Sequence, residues 1–490
     1  MFNVDKSKDN KKIIGATGWS LFTQVVAKII PPISNMILAR LFAPEVFGII
    51  ATITLVTSFA ETFSEGGFQK YIIKVNYDDE CELQKDSDVA FWTNIIISLI
   101  LWGAIAGFSV PLCSLLGNQG LEMALIIACA QIPLSSLSTI HIAFLQKKYK
   151  FRKPFFVQLI SSLVTLTITL VLAFQGLGFW SIIIGNISGY VIRVVLLSIK
   201  SDWRPHFYYS FKRLKKMFSF TAWILAESIA VWLTSWFDSF LVGKKLNDHD
   251  LGIYKNSQSV VNGLLSVPQN AITNVSLVAL SKNNEDQDSF TTIFLFFQRA
   301  LAFLLLPIGV GVFLYRDLAV QIIFGSGWED AGIVVGVWSL ASVLRILFVS
   351  INTPAFISKG KPRISLWLQL IDIAILVPTC FIFVDKGLHD FAIIRSIARL
   401  DIIIPSFIFL YACCGISVIK VIKNVAKPFI CTSVMVGVSF LLQLNGNHVW
   451  WQVVSIIICA LVYCLMVFIL GRKDIKKVFE ILKNRNQSVE

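Results

Sequence analysis

The stretch ILARLFAPEVFGI occupies residues 37–49, and the stretch LVGKKLNDHDLGI follows it 204 positions later, at residues 241–253. Only the closing Gly-Ile is identical, at Gly48/Gly252 and Ile49/Ile253. The residue types nevertheless follow the same order: an apolar pair, a small residue, a basic residue, a polar turn and then apolar-Gly-Ile. This order indicates that one half of the chain repeats the other.

The composition is that of a polytopic membrane protein. Of 490 residues, 56% are hydrophobic and only 15% are charged, with a mean hydropathy of +0.72. A helix that crosses the bilayer needs roughly 20 mostly apolar residues, and runs of that length fill the chain almost from end to end. The runs are continuous rather than alternating, which excludes a transmembrane β-barrel.

Cysteine spacing and charge exclude other classes of protein. The nine cysteines form no Cys-x-x-Cys pair and lie mostly inside apolar runs, so neither a disulfide framework nor a zinc site is indicated. The net charge of +13 comes from Lys and Arg residues in the connectors between apolar runs. In that position they determine membrane topology, so a nucleic-acid partner is not expected.

The apolar runs predict fourteen membrane spans, at residues 13–38, 46–65, 89–112, 121–145, 155–174, 178–199, 217–242, 251–280, 290–314, 331–357, 364–384, 390–412, 428–444 and 449–470. With a cytoplasmic N-terminus, 31 of the 43 Lys and Arg residues lie in inner connectors or tails, and 5 lie outside. By the positive-inside rule, this asymmetry predicts that both termini are cytoplasmic.

The repeat predicts how the spans are grouped. Residues 143–158 resemble residues 355–369, and Asp88 opens span 3 as Asp288 opens span 9. We therefore expect an all-α protein with two parallel six-helix lobes (1–205 and 206–415), an extra helix pair (416–470) and a basic cytoplasmic tail (471–490). Parallel repeats of this kind are a transporter arrangement, with the substrate path between the halves.

Three stretches also resemble a known family: ILARLFAPEVFG (37–48), FAETFSEGGFQKYIIK (59–74) and DSFLVGKKLNDHDLGIYKNSQ (238–258). They are similar to the polysaccharide transporters of the MOP superfamily, in particular the Wzx-like O-antigen and exopolysaccharide flippases. The resemblance implies a multi-pass protein of the bacterial inner membrane that flips undecaprenyl-pyrophosphate-linked oligosaccharides to the outer leaflet by alternating access. It also implies a monomer in contact with membrane lipids, a polysaccharide polymerase and chain-length machinery.

Basic residues inside predicted spans are the candidate ligands for the pyrophosphate and glycan. A charge at the centre of a lipid-facing helix is costly, so such residues usually face a cavity. Lys28 is the first candidate, because Pro31-Pro32 should bend its helix. The other candidates are Arg345, Arg299, Arg399 and Lys255. Each of them could instead be a structural cation that pairs with an acidic neighbour.

Acidic residues inside the spans have two open interpretations. Glu227, Asp372 and Asp401 could be counter-ions of the basic set, or they could bind a coupling Na⁺ or proton. Glu61 and Arg193 are expected nearer the ends of their spans. The acidic run at residues 78–88 is expected to be a solvated loop.

Two other functions compete with the flippase. The alternative within the superfamily is an efflux antiporter of small organic cations, which the basic residues in the spans disfavour. A membrane-embedded glycosyltransferase or polymerase would need an extramembrane domain, and the connectors are too short for one. No GxxxxGK[ST] sequence occurs, so direct use of ATP is not expected. The sequence thus predicts a transporter without catalytic residues, a metal or a cofactor.

Overall fold

The computed structural model describes residues 32–470 except positions 66, 76, 78, 149, 445 and 447. Lys28, most of the predicted first span and the tail at 471–490 lie outside these residues. Every regular element within them is helical, as predicted. The helices are α1 (32–39), α2 (Pro44–Glu65), α3 (Gly67–Lys74), α4 (Glu80–Gly107), α5 (Ser109–Leu116), α6 (Glu122–Cys129), α7 (Gln131–Lys147), α8 (Arg152–Phe174), α9 (Phe179–Lys200), α10 (Phe211–Lys245), α11 (Asp248–Lys282), α12 (Gln287–Leu314), α13 (Arg316–Ile323), α14 (Ala331–Phe348), α15 (Thr353–Ser358), α16 (Arg363–Phe383), α17 (Leu388–Ala398), α18 (Ile403–Cys414), α19 (Val418–Gln443) and α20 (Val449–Leu470). Two 3₁₀ turns, Ser350–Asn352 and Val384–Lys386, connect some of them.

Twelve helical stretches in the described part of the chain are long and apolar enough to cross a membrane. They coincide with twelve of the fourteen predicted spans, so the all-α, multi-span class is confirmed. The predicted eighth span, residues 251–280, is a continuous part of α11, but this 35-residue helix is not among the twelve. The count of fourteen stays a prediction.

Four of the predicted spans are interrupted in the described part of the chain, and each interruption precedes a proline. Pro111 follows the break between α4 and α5. A proline cannot donate to the carbonyl four residues earlier, and its ring clashes with that carbonyl. Pro133 follows the break between α6, which ends at Cys129, and α7. Pro354 follows the break between α14 and α15, and Pro405 follows the break between α17 and α18. Backbone carbonyls in such breaks become available to side chains.

By its contacts the described chain divides into two compact units, each of which is considered separately. The first contains residues up to 256 together with 380–388, and the second contains 257–379 and residues from 389 onward. In the first, α8 packs on α9, and α7 packs on both α4 and α9; in the second, α12 packs on α14 and α19, and α19 on α20. The predicted lobes follow the sequence repeat rather than packing, so they stay a prediction.

Small residues permit the closest helix pair of the first unit. A Cβ atom on Gly185 of α9 would overlap the hydroxyl of Thr169 on α8, and one on Gly189 would overlap the hydroxyl of Thr165. Small residues at membrane-helix interfaces let backbones approach closely in this way. The α8–α9 pair therefore depends on these two glycines.

The expected solvated loop at residues 78–88 was wrong from Glu80 onward. Residues from Glu80 begin α4, and Asp86 and Asp88 are buried. Arg213 donates to Asp86 Oδ1 at 2.6 Å and to Glu82 Oε2 at 2.7 Å. Buried carboxylates need such partners, and the arginine lies more than a hundred residues away, so the local sequence could not reveal it.

Candidate functional site

The first unit contains two adjoining polar cavities, of 340 and 220 Å³. They share the side chains of Ile50, Asn186 and Tyr190. The larger cavity is also lined by Ser34, Asn35, Leu38, Gln158, Ser161, Ser162, Thr165, Leu166, Thr169, Ile182, Gly189 and Arg193. Most of these side chains are hydroxyls and amides, although the helices that carry them are apolar enough to span a membrane. The lining therefore suits a ligand rich in hydrogen-bonding groups.

The smaller cavity contains a carboxylate held by two donors. Glu61 Oε1 accepts a hydrogen bond from Gln131 Nε2 at 3.1 Å and another from Tyr190 Oη at 3.0 Å. Thr54 and Thr57 line the same cavity from the helix that carries Glu61. These bonds fix the orientation of the carboxylate and join α2, α7 and α9.

The larger cavity contains a guanidinium group. Arg193 is half-buried, two turns before the end of α9, and makes no hydrogen bond or ion pair with any described residue. Ser161 also lines this cavity; it is only 5% exposed, and its hydroxyl has no hydrogen-bond partner among the described residues. Since buried polar groups are normally satisfied, this combination marks a place for a polar or anionic ligand.

The second unit holds a cluster of charged residues around the break between α17 and α18. Arg345 Nη2 on α14 forms an ion pair with Asp372 Oδ2 on α16 at 2.6 Å. Its Nη1 donates to the backbone carbonyl of Arg399 in the break at 3.4 Å. Asp372 is 1% exposed, so the pair is almost completely shielded from solvent on the carboxylate side.

Arg399 lies against an aromatic ring. Its guanidinium carbon is 3.7 Å from the centre of the Trp338 ring, and its Nη1 donates to Ser342 Oγ at 3.1 Å. Trp338 is itself oriented by a hydrogen bond from Nε1 to Asn262 Oδ1 at 3.1 Å. A cation over an indole is a stabilising arrangement, and it fixes the position of the Arg399 guanidinium.

Asp401 completes this cluster. Its Oδ1 accepts from the backbone N–H of Ile402, while its Oδ2 is buried without a hydrogen-bond partner among the described residues. The carboxylate interacts electrostatically with Asp372, Arg345 and Arg395. Arg399 and Asp401 are not on one regular helix, because α17 ends at Ala398 and α18 begins at Ile403. The break thus brings both side chains into the same cluster.

The remaining predicted residues are separate from this cluster. Arg299 Nε donates to Asn424 Oδ1 at 2.9 Å, between α12 and α19. In the first unit, Lys255 Nζ lies 3.6 Å from the centre of the Trp236 ring and donates to the carbonyl of Ser235. Glu227 is half-buried on α10 and makes no hydrogen bond or ion pair with any described residue. Lys28, the first candidate, lies outside the described residues.

The sequence analysis did not select the residues of the polar cavities, although a signal was present. Thr54, Thr57 and Glu61 recur at i, i+3 and i+7 on α2 and line one cavity. On α9, Asn186 and Arg193 are likewise seven residues apart, with Tyr190 between them. Residues at this spacing share one face of a helix, so a polar stripe within an apolar span indicates a buried polar surface.

Comparison with known proteins gives the family. A family model described as "Polysaccharide biosynthesis protein" matches residues 37–333. The chain is 23% identical over 485 residues to the succinoglycan biosynthesis transport protein of Rhizobium meliloti, covering 97% of this chain and 96% of that protein. It is 22% identical to a teichuronic acid biosynthesis protein of Bacillus subtilis, covering 89% of this chain and 90% of the other.

A solved structure gives the fold. The lipid II flippase MurJ in an inward closed conformation superimposes with a TM-score of 0.73 at 16% identity, covering 94% of this chain and 98% of that structure. The likeness agrees with the membrane-spanning helices and supports an integral membrane protein. Because the family model covers more than half of the residues, this chain belongs to the polysaccharide biosynthesis protein family.

Proposed function

We propose that this protein flips undecaprenyl-pyrophosphate-linked oligosaccharide units from the cytoplasmic to the outer leaflet of a bacterial inner membrane. The flipped units would serve the assembly of O-antigen, capsule or exopolysaccharide. Its relatives carry the names of succinoglycan transport and teichuronic acid biosynthesis, and its fold resembles that of a lipid II flippase. The proposal places the substrate in a polar path, with access alternating between the two membrane faces.

The observation that carries the proposal is the larger cavity of the first unit. Its hydroxyl and amide side chains can replace the water that hydrates a sugar, and Arg193 can bind a phosphate or a carboxylate. Each unsatisfied polar group costs several kcal/mol in hydrocarbon, so a translocated glycan needs such replacements at membrane depth. A polyprenyl tail needs none and can stay in the lipid.

The charged cluster of the second unit supports the same substrate class. Arg345, Arg399 and Arg395 carry three positive charges, against two negative charges on Asp372 and Asp401. We propose that the residual positive charge attracts the pyrophosphate. Arg299, Lys255 and Lys28 stay candidate ligands on the grounds of their sequence positions alone. Trp338, which is buried, would hold the Arg399 guanidinium in place.

The membrane potential can drive this export. A pyrophosphate that leaves an inside-negative cell moves down the potential, which contributes about 2.3 kcal/mol per charge per 100 mV. Coupling to Na⁺ or a proton is a further possibility, with Glu227 and Asp401 as candidate acids. Consumption of the glycan outside the membrane would add to this driving force.

The competing efflux antiporter fits the first unit less well. An organic cation would favour an unscreened carboxylate. Glu61 Oε1 instead accepts two hydrogen bonds, and Arg193 lines the adjoining cavity. A nearby guanidinium repels a cationic ligand and attracts an anionic one.

The test is transport in proteoliposomes. A fluorescent undecaprenyl-pyrophosphate oligosaccharide is incorporated, and its appearance in the opposite leaflet is followed with a quencher that does not cross the membrane. Wild type is compared with Arg193→Gln and with Lys361→Gln, which removes a positive charge from an exposed residue of a connector. Uptake of an organic cation is measured in the same vesicles.

We expect flipping by wild type and by Lys361→Gln, and a loss of flipping in Arg193→Gln. If Arg193→Gln flips at the wild-type rate, the cavity of the first unit is not on the substrate path. If wild type transports the organic cation and leaves the lipid-linked sugar in place, the flippase proposal is overturned.

A further inference from the structure

The two copies of the repeated stretch contact each other in the folded protein. A Cβ atom on Gly48 would overlap the backbone carbonyl of Asp248, and a Cβ atom on Gly252 would overlap the backbone carbonyl of Pro44. Gly48 and Gly252 are equivalent in the repeat, and so are Pro44 and Asp248. The contact is therefore reciprocal: each copy presents its glycine to the same position of the other, as in an interface with two-fold symmetry.

A third equivalent pair reinforces this contact. Glu45 and His249 are also 204 residues apart, and His249 Nδ1 donates to Glu45 Oε1 at 2.8 Å. Both side chains are partly exposed, at 53% for Glu45 and 38% for His249. All three pairs have the same separation of 204 residues, so the contact joins equivalent positions of the two copies of the repeat.

Hydrogen bonds from Asn118 also stabilise this contact. Asn118 Nδ2 donates to Asp248 Oδ1 at 2.9 Å and to Thr52 Oγ1 at 3.0 Å. Thr52 lies one turn after Gly48 on α2 and is 5% exposed. The side chain of Thr52 is thus covered by the contact.

Residues 44–48 and 248–252 form the first turns of α2 and α11, next to connectors that charge asymmetry predicts to lie outside the cell. At the glycines the backbones of α2 and α11 approach without an intervening side chain, so no passage remains between the helix starts at this point. Side-chain hydrogen bonds in this contact include the one between Glu45 and His249 and those of Asn118. A few hydrogen bonds over a small contact suit an element that must open and close.

We propose that the reciprocal contact of residues 44–48 with residues 248–252 is a latch that closes the outer end of the transport path and separates when the path opens outward. This role rests on the proposed transport function. It also gives a physical reason for the glycine in each copy of the repeat: a larger residue at Gly48 or Gly252 would clash with the facing backbone and keep the two stretches apart.

The test uses Thr52→Cys as a reporter in intact cells, with a maleimide that does not cross the membrane. Labelling of wild type, treated in parallel, gives the background from the native cysteines. In Thr52→Cys we expect slow labelling, and in Thr52→Cys with Gly48→Leu an increase of about tenfold or more, because a displaced backbone also breaks a charge-assisted hydrogen bond. Thr52→Cys with Gly103→Leu is the control, since a Cβ at Gly103 meets no atom within 4 Å.

A second variant avoids any effect of a large side chain on folding. Glu45→Cys with His249→Cys, joined by a short reducible thiol cross-linker, should lock the latch and stop transport until the linker is reduced. When Thr52→Cys is added to this pair, the same cross-link should abolish labelling at position 52. The latch would be overturned if the cross-linked protein transported at the rate of the uncross-linked protein. It would also be overturned if neither Gly48→Leu nor the cross-link changed the labelling of residue 52. Labelling needs no substrate, so if it responds as expected while no lipid-linked sugar moves, the latch stands and the flippase proposal fails.

Discussion

Arg345 and Asp372 form an ion pair of 2.6 Å that joins α14 to α16 inside the second unit. The aspartate is almost completely buried, whereas the arginine side chain keeps 16% of its exposure. Arg345 therefore has two roles in this pair. Arg345 neutralises a carboxylate that could not remain charged alone, and it still presents part of its guanidinium beside the break at Arg399.

Removal of Arg345 should leave Asp372 as an unpaired buried charge. We expect Arg345→Ala to lower the free energy of unfolding by about 3–5 kcal/mol, as is usual when one partner of a buried pair is deleted. The double variant Arg345→Met with Asp372→Leu should recover most of this loss, because a well-packed apolar pair replaces both charges. The stability of all three proteins is compared by thermal unfolding in detergent. Equal stability of Arg345→Ala and wild type would contradict the buried pair.

Arg193 should affect transport more than stability. It has no protein partner among the described residues, so Arg193→Gln should change the free energy of unfolding by no more than about 0.5 kcal/mol. Flipping should fall by about tenfold or more, since a hydrogen bond to a charged ligand group is lost. The transport rate and the melting temperature are measured on the same preparation. A large fall in melting temperature would indicate a structural arginine instead.

The α8–α9 contact should not tolerate added bulk. Gly185→Ala places a methyl group against Thr169, and we expect a loss of about 1–3 kcal/mol in unfolding free energy. Gly103→Ala is the matched control: Gly103 also lies within a helix, but its Cβ would meet open space, so alanine should stabilise by about 0.5–1 kcal/mol. The two substitutions should thus have opposite signs in thermal unfolding. The same sign in both would show that helix propensity, and not close packing, governs Gly185.

The Asp248 carboxyl should stabilise the contact of α2 with α11 more in acid than at neutral pH. Burial raises the pKa of Asp248, and the nearby Glu45 adds to this rise, while the hydrogen bond from Asn118 opposes it. A carboxyl group whose pKa is raised by folding holds its proton more tightly in the folded state, so its contribution is fully present below the ordinary pKa of about 3.9 and is lost as pH rises through the raised value. Glu45 acts in the opposite direction, because its backbone hydrogen bond and its hydrogen bond with His249 hold its pKa below the ordinary value.

Asp248→Asn isolates the contribution of Asp248. The melting temperature of wild type minus that of Asp248→Asn should decrease between about pH 4 and about pH 7, because only wild type loses the proton. The Glu45 contribution is present in both proteins and largely cancels in the difference. A difference that is constant with pH, or that increases, would contradict the raised pKa of Asp248.

Most of the secondary structure could be predicted from the sequence, because each span is a local property. About twenty apolar residues in a row are sufficient to specify a membrane helix, and twelve predicted spans coincide with helices. Even the breaks that the predicted spans omit have a local signal, in Pro111, Pro133, Pro354 and Pro405. The eighth predicted span does form a helix, as part of α11. Because α11 contains many polar residues, it is not among the twelve helical stretches that are apolar enough to cross a membrane.

The candidate site could be predicted only in part. The basic residues were selected because a charge within an apolar span needs an explanation, and Arg345 and Arg399 do meet in one cluster. Their partners could not be predicted: Asp372 is 27 residues from Arg345, and Trp338 is on a different helix from Arg399. Residue type predicts that a charge requires a partner, but packing determines which partner it has.

The sequence by itself determined the membrane class, the helical spans, the internal repeat and the family resemblance, because apolar length and residue order are written along the chain. Only the tertiary structure decided that Arg193 and Glu61 line adjoining cavities, and that Gly48 and Gly252 meet across the repeat. These relations join residues from separate helices. They depend on which helix faces approach each other, and a one-dimensional pattern of apolar residues does not specify that.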